Sequence, residues 1–266
     1  MHMEVKVRAI FKKSIMALLV LGTLHSQVSI ADLQDEIQVY DDSINKQSAF
    51  GLELHLNTTP TGRSFSNYPY EVPPEHALRI NPEFSYGLSR DFEAGFYLPT
   101  IINSNTYYDV AGAKLRLKWL PIHSEDNQGW FAGVNLELSR LKQKYSESQT
   151  TAETRFMVGR RTEDWLIALN PILDFNLSGQ YRKQSPDLVG ALKVSRKIAT
   201  WLATGIEYYS SLGKLNDVLP ANQQDNRIYL TFDVDREPWV FNIGIGRGLT
   251  SASDKWTVKA VFEVPI

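Results

Sequence analysis

The chain has 266 residues, no cysteine, 28 Lys and Arg against 30 Asp and Glu, and 43% hydrophobic residues. The missing thiols exclude a disulfide scaffold, a thiolate metal site and a cysteine nucleophile, and the net charge of −2 excludes the basic surplus of a dedicated nucleic-acid binder. Beyond the N-terminus no apolar run approaches the roughly 18 residues a spanning helix needs, yet 6 Trp, 12 Tyr and 12 Phe have to be placed somewhere.

Lys6, Arg8, Lys12 and Lys13 precede an apolar run over 15–24, and Ser29-Ile30-Ala31 supplies small residues at a cleavage site. This pattern predicts a signal peptide over 1–31, cut before Asp32. A cysteine-free exported chain suits the oxidising envelope of a Gram-negative bacterium. Residues 32–47 carry Asp32, Asp35, Glu36, Asp41 and Asp42 against Lys46 alone, with little apolar periodicity. They read as an acidic periplasmic extension ahead of a domain over 48–266. The composition favours a disordered tail, and a plug in the periplasmic mouth is the alternative.

From residue 50 the period becomes two, the signature of strands. Phe50, Leu52, Leu54 and Leu56 alternate with Gly51, Glu53, His55 and Asn57. Leu78, Ile80, Pro82, Phe84 and Tyr86 alternate with Arg79, Asn81, Glu83 and Ser85; Phe92, Ala94 and Phe96 with Glu93, Gly95 and Tyr97; Leu115, Leu117 and Trp119 with Lys114, Arg116 and Lys118. Eight further strands fall near 130–139, 153–161, 165–177, 188–195, 202–209, 228–234, 239–245 and 255–266. No segment offers an amphipathic helix. Links after even-numbered strands are tight (89–91, 196–201, 235–238), with 121–129 the exception. Those after odd-numbered strands are long and polar (57–77, 100–110, 141–152, 210–227). Sorting short turns to one end and long loops to the other predicts an all-β fold: a transmembrane antiparallel up-and-down β-barrel of about 12 strands, both termini periplasmic.

Strand parity divides the side chains between lipid and lumen. The inward set holds Arg79, Lys114, Arg116, Lys118, Arg155, Arg161, Lys193, Lys255 and Lys259, and Glu53, Glu83, Glu93, Glu137, Glu153, Asp174, Glu207, Asp233 and Glu263. Balanced charge predicts a cross-linked interior with a narrow or gated path. Lys114, Arg116 and Lys118 form a ladder that could draw an anion, although Glu93 and Glu137 on flanking strands are placed to neutralise it. Phe50, Phe92, Trp119, Trp130, Trp165 and Trp239 fall at one rim and Trp256 at the other, as membrane-interface aromatics would. The last strand alternates apolar residues to its end, so that pairing it with the first would leave no free edge.

The runs Pro82-Glu83-Phe84-Ser85-Tyr86-Gly87-Leu88, Phe92–Pro99, Asn170-Pro171-Ile172-Leu173-Asp174 and Gly205–Ser210 resemble a group of proteobacterial outer-membrane proteins near the MetA-pathway phenol-degradation transporters. The resemblance spans most of the chain and implies a barrel with a transport role, but says nothing of the solute. Such proteins usually end in Phe or Trp, read by the barrel-assembly machinery; this chain ends Pro265-Ile266.

Catalysis has little to work with. After the leader only His55, His76 and His123 remain. His123 adjoins Ser124, Glu125 and Asp126, but neighbours in sequence rarely present a triad in catalytic geometry, and they make a poor metal site. Gly244, Gly246 and Gly248 alternate within a strand and open no phosphate-binding helix. The sequence therefore predicts a non-enzymatic barrel of the Gram-negative outer membrane, with no cofactor, in contact with lipid and the assembly machinery, passing small solutes through a charge-lined lumen. The alternatives are a sealed structural or binding barrel acting through its loops and, less favoured, an outer-membrane hydrolase.

Overall fold

A computed structural model of the protein describes residues 34–103, 106–126 and 128–264. The expected leader and cleavage site lie outside these residues. All regular elements described are strands, and apart from Asp217–Val218, which pairs back on Gly213 and Lys214, they form twelve staves: β1 (Phe50–Thr61), β2 (Leu78–Gly87), β3 (Phe92–Tyr97 and Thr100–Asn103), β4 (Thr106–Val110 and Gly112–Ile122), β5 (Gly129–Leu141), β6 (Thr150–Arg161), β7 (Trp165–Asn176), β8 (Asp187–Ala199), β9 (Leu202–Lys214), β10 (Asp225–Arg236), β11 (Trp239–Gly248) and β12 (Trp256–Val264). Each pairs antiparallel with the next, and β12 pairs with β1 from Leu52↔Val264 to Thr61↔Trp256, so the sheet closes on itself. A closed sheet satisfies every ladder hydrogen bond without water, the condition for crossing a bilayer with strands.

Two staves are fractured where the sequence dictates. Leu98-Pro99 interrupts β3, because proline has no N–H to give the ladder, and β4 breaks beside it at Ala111, whose N–H donates to the Pro99 carbonyl at 2.7 Å. Beyond the break the two staves continue as a hairpin, with Thr100 opposite Val110 and Ile101 opposite Asp109. Residues 100–110, expected as a loop, are mostly strand for this reason. Several other staves also run past their expected ends on the long-loop side, β9 reaching Lys214 and β6 beginning at Thr150. Lys255, expected on the inner face, is instead exposed and precedes β12.

Burial is inverted relative to a water-soluble sandwich. On β4 the cations Lys114, Arg116 and Lys118 are buried, whereas Leu115 is 57% and Leu117 41% exposed. The exposed apolar residues form a belt that can be followed through the register. Phe84 faces Phe96, Phe96 faces Leu115, Leu117 faces Leu136, and Val158 faces Leu169. Ile206 faces Leu230, Ile245 faces Val258, and Phe262 faces Leu54, which returns the belt to β1. A continuous apolar girdle of this extent has no place in water and suits acyl chains.

At the long-loop end, Ala77, Ile101, Ala111, Leu141 and Tyr145 pack together with Val72 against them. This draws the loops over 62–77 and 142–149 onto the β3–β4 hairpin. Tyr145 donates to Asp109 at 2.8 Å, and Lys142 and Lys144 reach the same carboxylate at 2.5 and 2.6 Å. Burial, with the neighbouring Asp109 carboxylate, pushes the Tyr145 phenol above its ordinary pKa.

Candidate functional site

The lumen is not empty. Residues 34–47 run lengthwise through it, entering at the long-loop end and leaving at the short-turn end. The expected tail ahead of the domain is thus inside the domain, and the described chain begins near the loops rather than on the turn side.

The contacts explain why. Gln34 accepts from Arg227 at 2.5 Å, near the start of β10. Asp35, 1% exposed, accepts from Asn81 at 2.8 Å and from Lys114 at 2.9 Å, while its backbone carbonyl accepts from Asn57 at 2.6 Å. The carbonyls of Ile37 and Gln38 accept from Lys259 and Arg155, both at 3.0 Å. Tyr40 gives its N–H to Asn170 Oδ1 at 2.6 Å and takes Asn170 Nδ2 on its carbonyl at 2.9 Å, so one side-chain amide does what a neighbouring strand would do. Lower down, Arg161 holds Asp41 at 3.2 Å and Asp42 at 2.5 Å, Ser124 donates to Asp42, and Lys118 donates to the Ser43 carbonyl at 2.6 Å. Asn45 reaches Glu93 and Ser85, both at 2.7 Å. Ser48, at φ 65°, donates to the Gly87 carbonyl at 2.7 Å, where the chain reverses into β1.

Tyr40 is the centre of this arrangement. Its ring lies beneath Lys118, Arg116 and Arg155, with cation-to-centroid distances of 4.9, 5.8 and 4.4 Å. Its hydroxyl is 2.9 Å from that of Tyr97, and it packs with Leu120 and Met157. Val39 packs with Phe131, Leu166, Ala168 and Ala191. The wall therefore offers the segment both charged and apolar partners.

Fourteen of the eighteen charged residues expected on the lumen face are placed as follows. Lys114 pairs with Glu137 at 3.3 Å as well as with Asp35; Arg116 pairs with Glu93 at 2.7 Å and with Glu83. Lys193 pairs with Asp233 at 2.7 Å and Glu207 at 3.6 Å, and Lys259 with Glu207. Arg79 is buried and donates to Thr59 at 3.2 Å. Asp174 lines a cavity of about 140 Å³ between the segment and the wall, beside Ile37, Ile172, Val189 and Tyr209. Glu53 and Glu263 border a larger vestibule of about 590 Å³ at the turn end, with Glu83, Glu93, Arg116, Lys118, Lys193, Glu207 and Asp233. Flanking-strand acids neutralise Lys114 and Arg116 of the ladder, whereas Lys118 serves the segment. Parity alone did not mark Asp35, Tyr40, Asp41 and Asp42, which lie outside any strand. The overlooked signal was four acids on a short segment, of which Asp35 meets Lys114 and Asp41 and Asp42 meet Arg161.

Around the outside, Phe50 is 71% exposed against Tyr86, and Phe92 stacks on Trp119 at 6.0 Å. Trp130, Trp165 and Trp256 each carry an arginine from the directly opposed position: Arg160 at 5.6 Å, Arg196 at 5.4 Å and Arg247 at 5.5 Å. Trp239 opens β11 opposite Arg236. The residues weighed for catalysis do not converge: His123 meets Asp91 at 2.8 Å, while Ser124 turns to Asp42.

No family model matches the chain, and no curated protein matches its sequence. Solved structures do match its fold. The COG4313 outer membrane channel from Pseudomonas putida F1 aligns with a TM-score of 0.59 at 12% identity, covering 86% of this chain and 99% of that one. The KdgM porin, solved in complex with disordered oligogalacturonate, aligns with a TM-score of 0.54 at 9% identity, covering 81% and 99%. The fold is thus the closed antiparallel barrel of outer-membrane channels and porins. No tie to the phenol-degradation group emerges from these matches.

Proposed function

We propose that the protein is a channel of the Gram-negative outer membrane for small solutes, closed at rest by residues 34–47 and opened when that segment is displaced. One observation carries this reading: the segment runs the length of the bore on side-chain contacts alone, without a ladder to any stave, so it can leave without opening the barrel. The segment accepts from or pairs with Lys114, Lys118, Arg155, Arg161, Arg227 and Lys259, so its departure removes one partner from each of these cations along the path. Charged side chains lining a bore bias which solutes pass. Export by a cleaved leader, insertion by the barrel-assembly machinery and an outer face solvated by lipid belong to the same proposal.

The test is conductance of the refolded protein in planar bilayers, comparing the intact mature chain with a variant lacking residues 34–47. The intact chain is expected to be closed for most of the record and the deletion variant to show stepwise current. A folded deletion variant with no current above the lipid baseline would refute the channel reading and favour a sealed barrel acting through its loops.

A further inference from the structure

Glu53, His55 and Glu83 each bring one ligand atom into a group no more than 4.8 Å apart. His55 Nε2 is 3.1 Å from Glu83 Oε2 and 3.8 Å from Glu53 Oε2. Three donors on a tetrahedral zinc ion, with bonds of about 2.0–2.1 Å, sit about 3.3 Å apart, so these spacings need only a small contraction. The register supplies a second, independent observation. Glu53 lies directly opposite Glu263 on β12 and directly opposite Glu83 on β2, which sets three carboxylates in a row across neighbouring strands. Like charges in opposed positions destabilise a sheet unless a cation joins them. Arg116 answers Glu83 from the far side, together with Glu93. Among the described residues, no lysine or arginine comes within ion-pairing distance of Glu53 or Glu263.

We propose that Glu53, His55 and Glu83 form a binding site for a divalent transition-metal cation in the wall of the vestibule. Imidazole nitrogen with two carboxylates is a donor set for zinc and its first-row neighbours rather than for calcium or magnesium, which take oxygen alone. His55 and Glu83 are buried, with side-chain exposures of 0% and 4%, so they are fixed in place. Glu53 is 32% exposed toward the vestibule of about 590 Å³, which gives the ion a way in and leaves a coordination position for water. On binding, the ion replaces the contact between His55 Nε2 and Glu83, and Glu83 keeps Arg116 on its other oxygen. The site is built into β1 and β2 and does not depend on the segment over 34–47.

The test is isothermal titration of Zn²⁺ into the chelator-stripped, untagged full chain in detergent, with the Co²⁺ absorption spectrum as a report on the ligand set. The expected result is one Zn²⁺ per chain. Glu53→Gln, at a partly exposed position, should weaken binding at least tenfold while leaving the heat-modifiable migration of the folded barrel unchanged, and His55→Asn should do the same if it folds. A His76→Ala/His123→Ala double variant should bind as the parent does. Absence of stoichiometric uptake, binding unaltered by Glu53→Gln, or loss of binding in the double variant would each overturn the proposal.

Discussion

Replacing Tyr40 with alanine isolates the energy that seats the internal segment. The ring is 5% exposed, packs with Leu120 and Met157 and shares a hydroxyl contact of 2.9 Å with Tyr97. Truncating a buried aromatic costs about 3–5 kcal/mol, and facing cations add about 0.5–2 kcal/mol each, in terms that do not sum independently. Taking about 3 kcal/mol as the loss, and about 1.4 kcal/mol per tenfold change, the ratio of displaced to seated segment should rise roughly a hundredfold. Tyr40→Phe keeps the ring and removes the hydroxyl contact, a loss of about 1 kcal/mol, or about fivefold. Open probability in single-channel records, read beside the variant lacking 34–47, should therefore order as parent, Tyr40→Phe, Tyr40→Ala, deletion. If Tyr40→Ala opened no more often than the parent while the deletion conducted freely, Tyr40 would not be what holds the segment in place.

Two further outcomes follow from contacts elsewhere. A Cβ at Gly87 would strike the Lys46 carbonyl oxygen and lie 2.8 Å from that of Asn45; since overpacking costs about 1–3 kcal/mol, Gly87→Ala should raise open probability at least fivefold, and unchanged gating would show that the reversal at the turn end can shift freely. At the loop end, Asp109→Asn removes the anion shared by Lys142, Lys144 and Tyr145. Because both lysines are well solvated, the loss is about 1 kcal/mol, and tryptic cleavage in 142–149 should quicken a few fold. Equal cleavage rates would place the loop's order in the apolar cluster alone.

The staves were legible because a strand writes its environment into alternate residues, and here both environments are chemically extreme. Leu115, Leu117 and Trp119 against Lys114, Arg116 and Lys118 admit one register only, since a slip of one residue would put three cations in lipid. The fractures were harder to foresee. Pro99 marks a break, but whether the chain resumes as strand depends on Thr106–Val110 being near enough to pair. The segment over 34–47 was opaque for a different reason. Its apolar residues, Ile37, Val39, Tyr40 and Ile44, follow no strand or helix period, because each meets its own patch of a curved wall. Its polar side chains answer cations up to 193 positions away, as Gln34 and Asp35 do for Arg227 and Lys114. Local pattern cannot report a partnership that exists only after the sheet has closed.

The outward run on β7 also carries a measure of length. From Trp165 to Phe175 the chain takes ten steps, each about 3.4 Å, on a stave inclined about 40° to the barrel axis. That is a height of about 26 Å, below the roughly 30 Å of an average hydrocarbon layer and near that of the thinner bacterial outer membrane. In a thicker bilayer the lipids would have to compress around the barrel or leave their tails against its polar rims. The residues that keep the wall from dissolving in water thus also select the membrane whose thickness it matches.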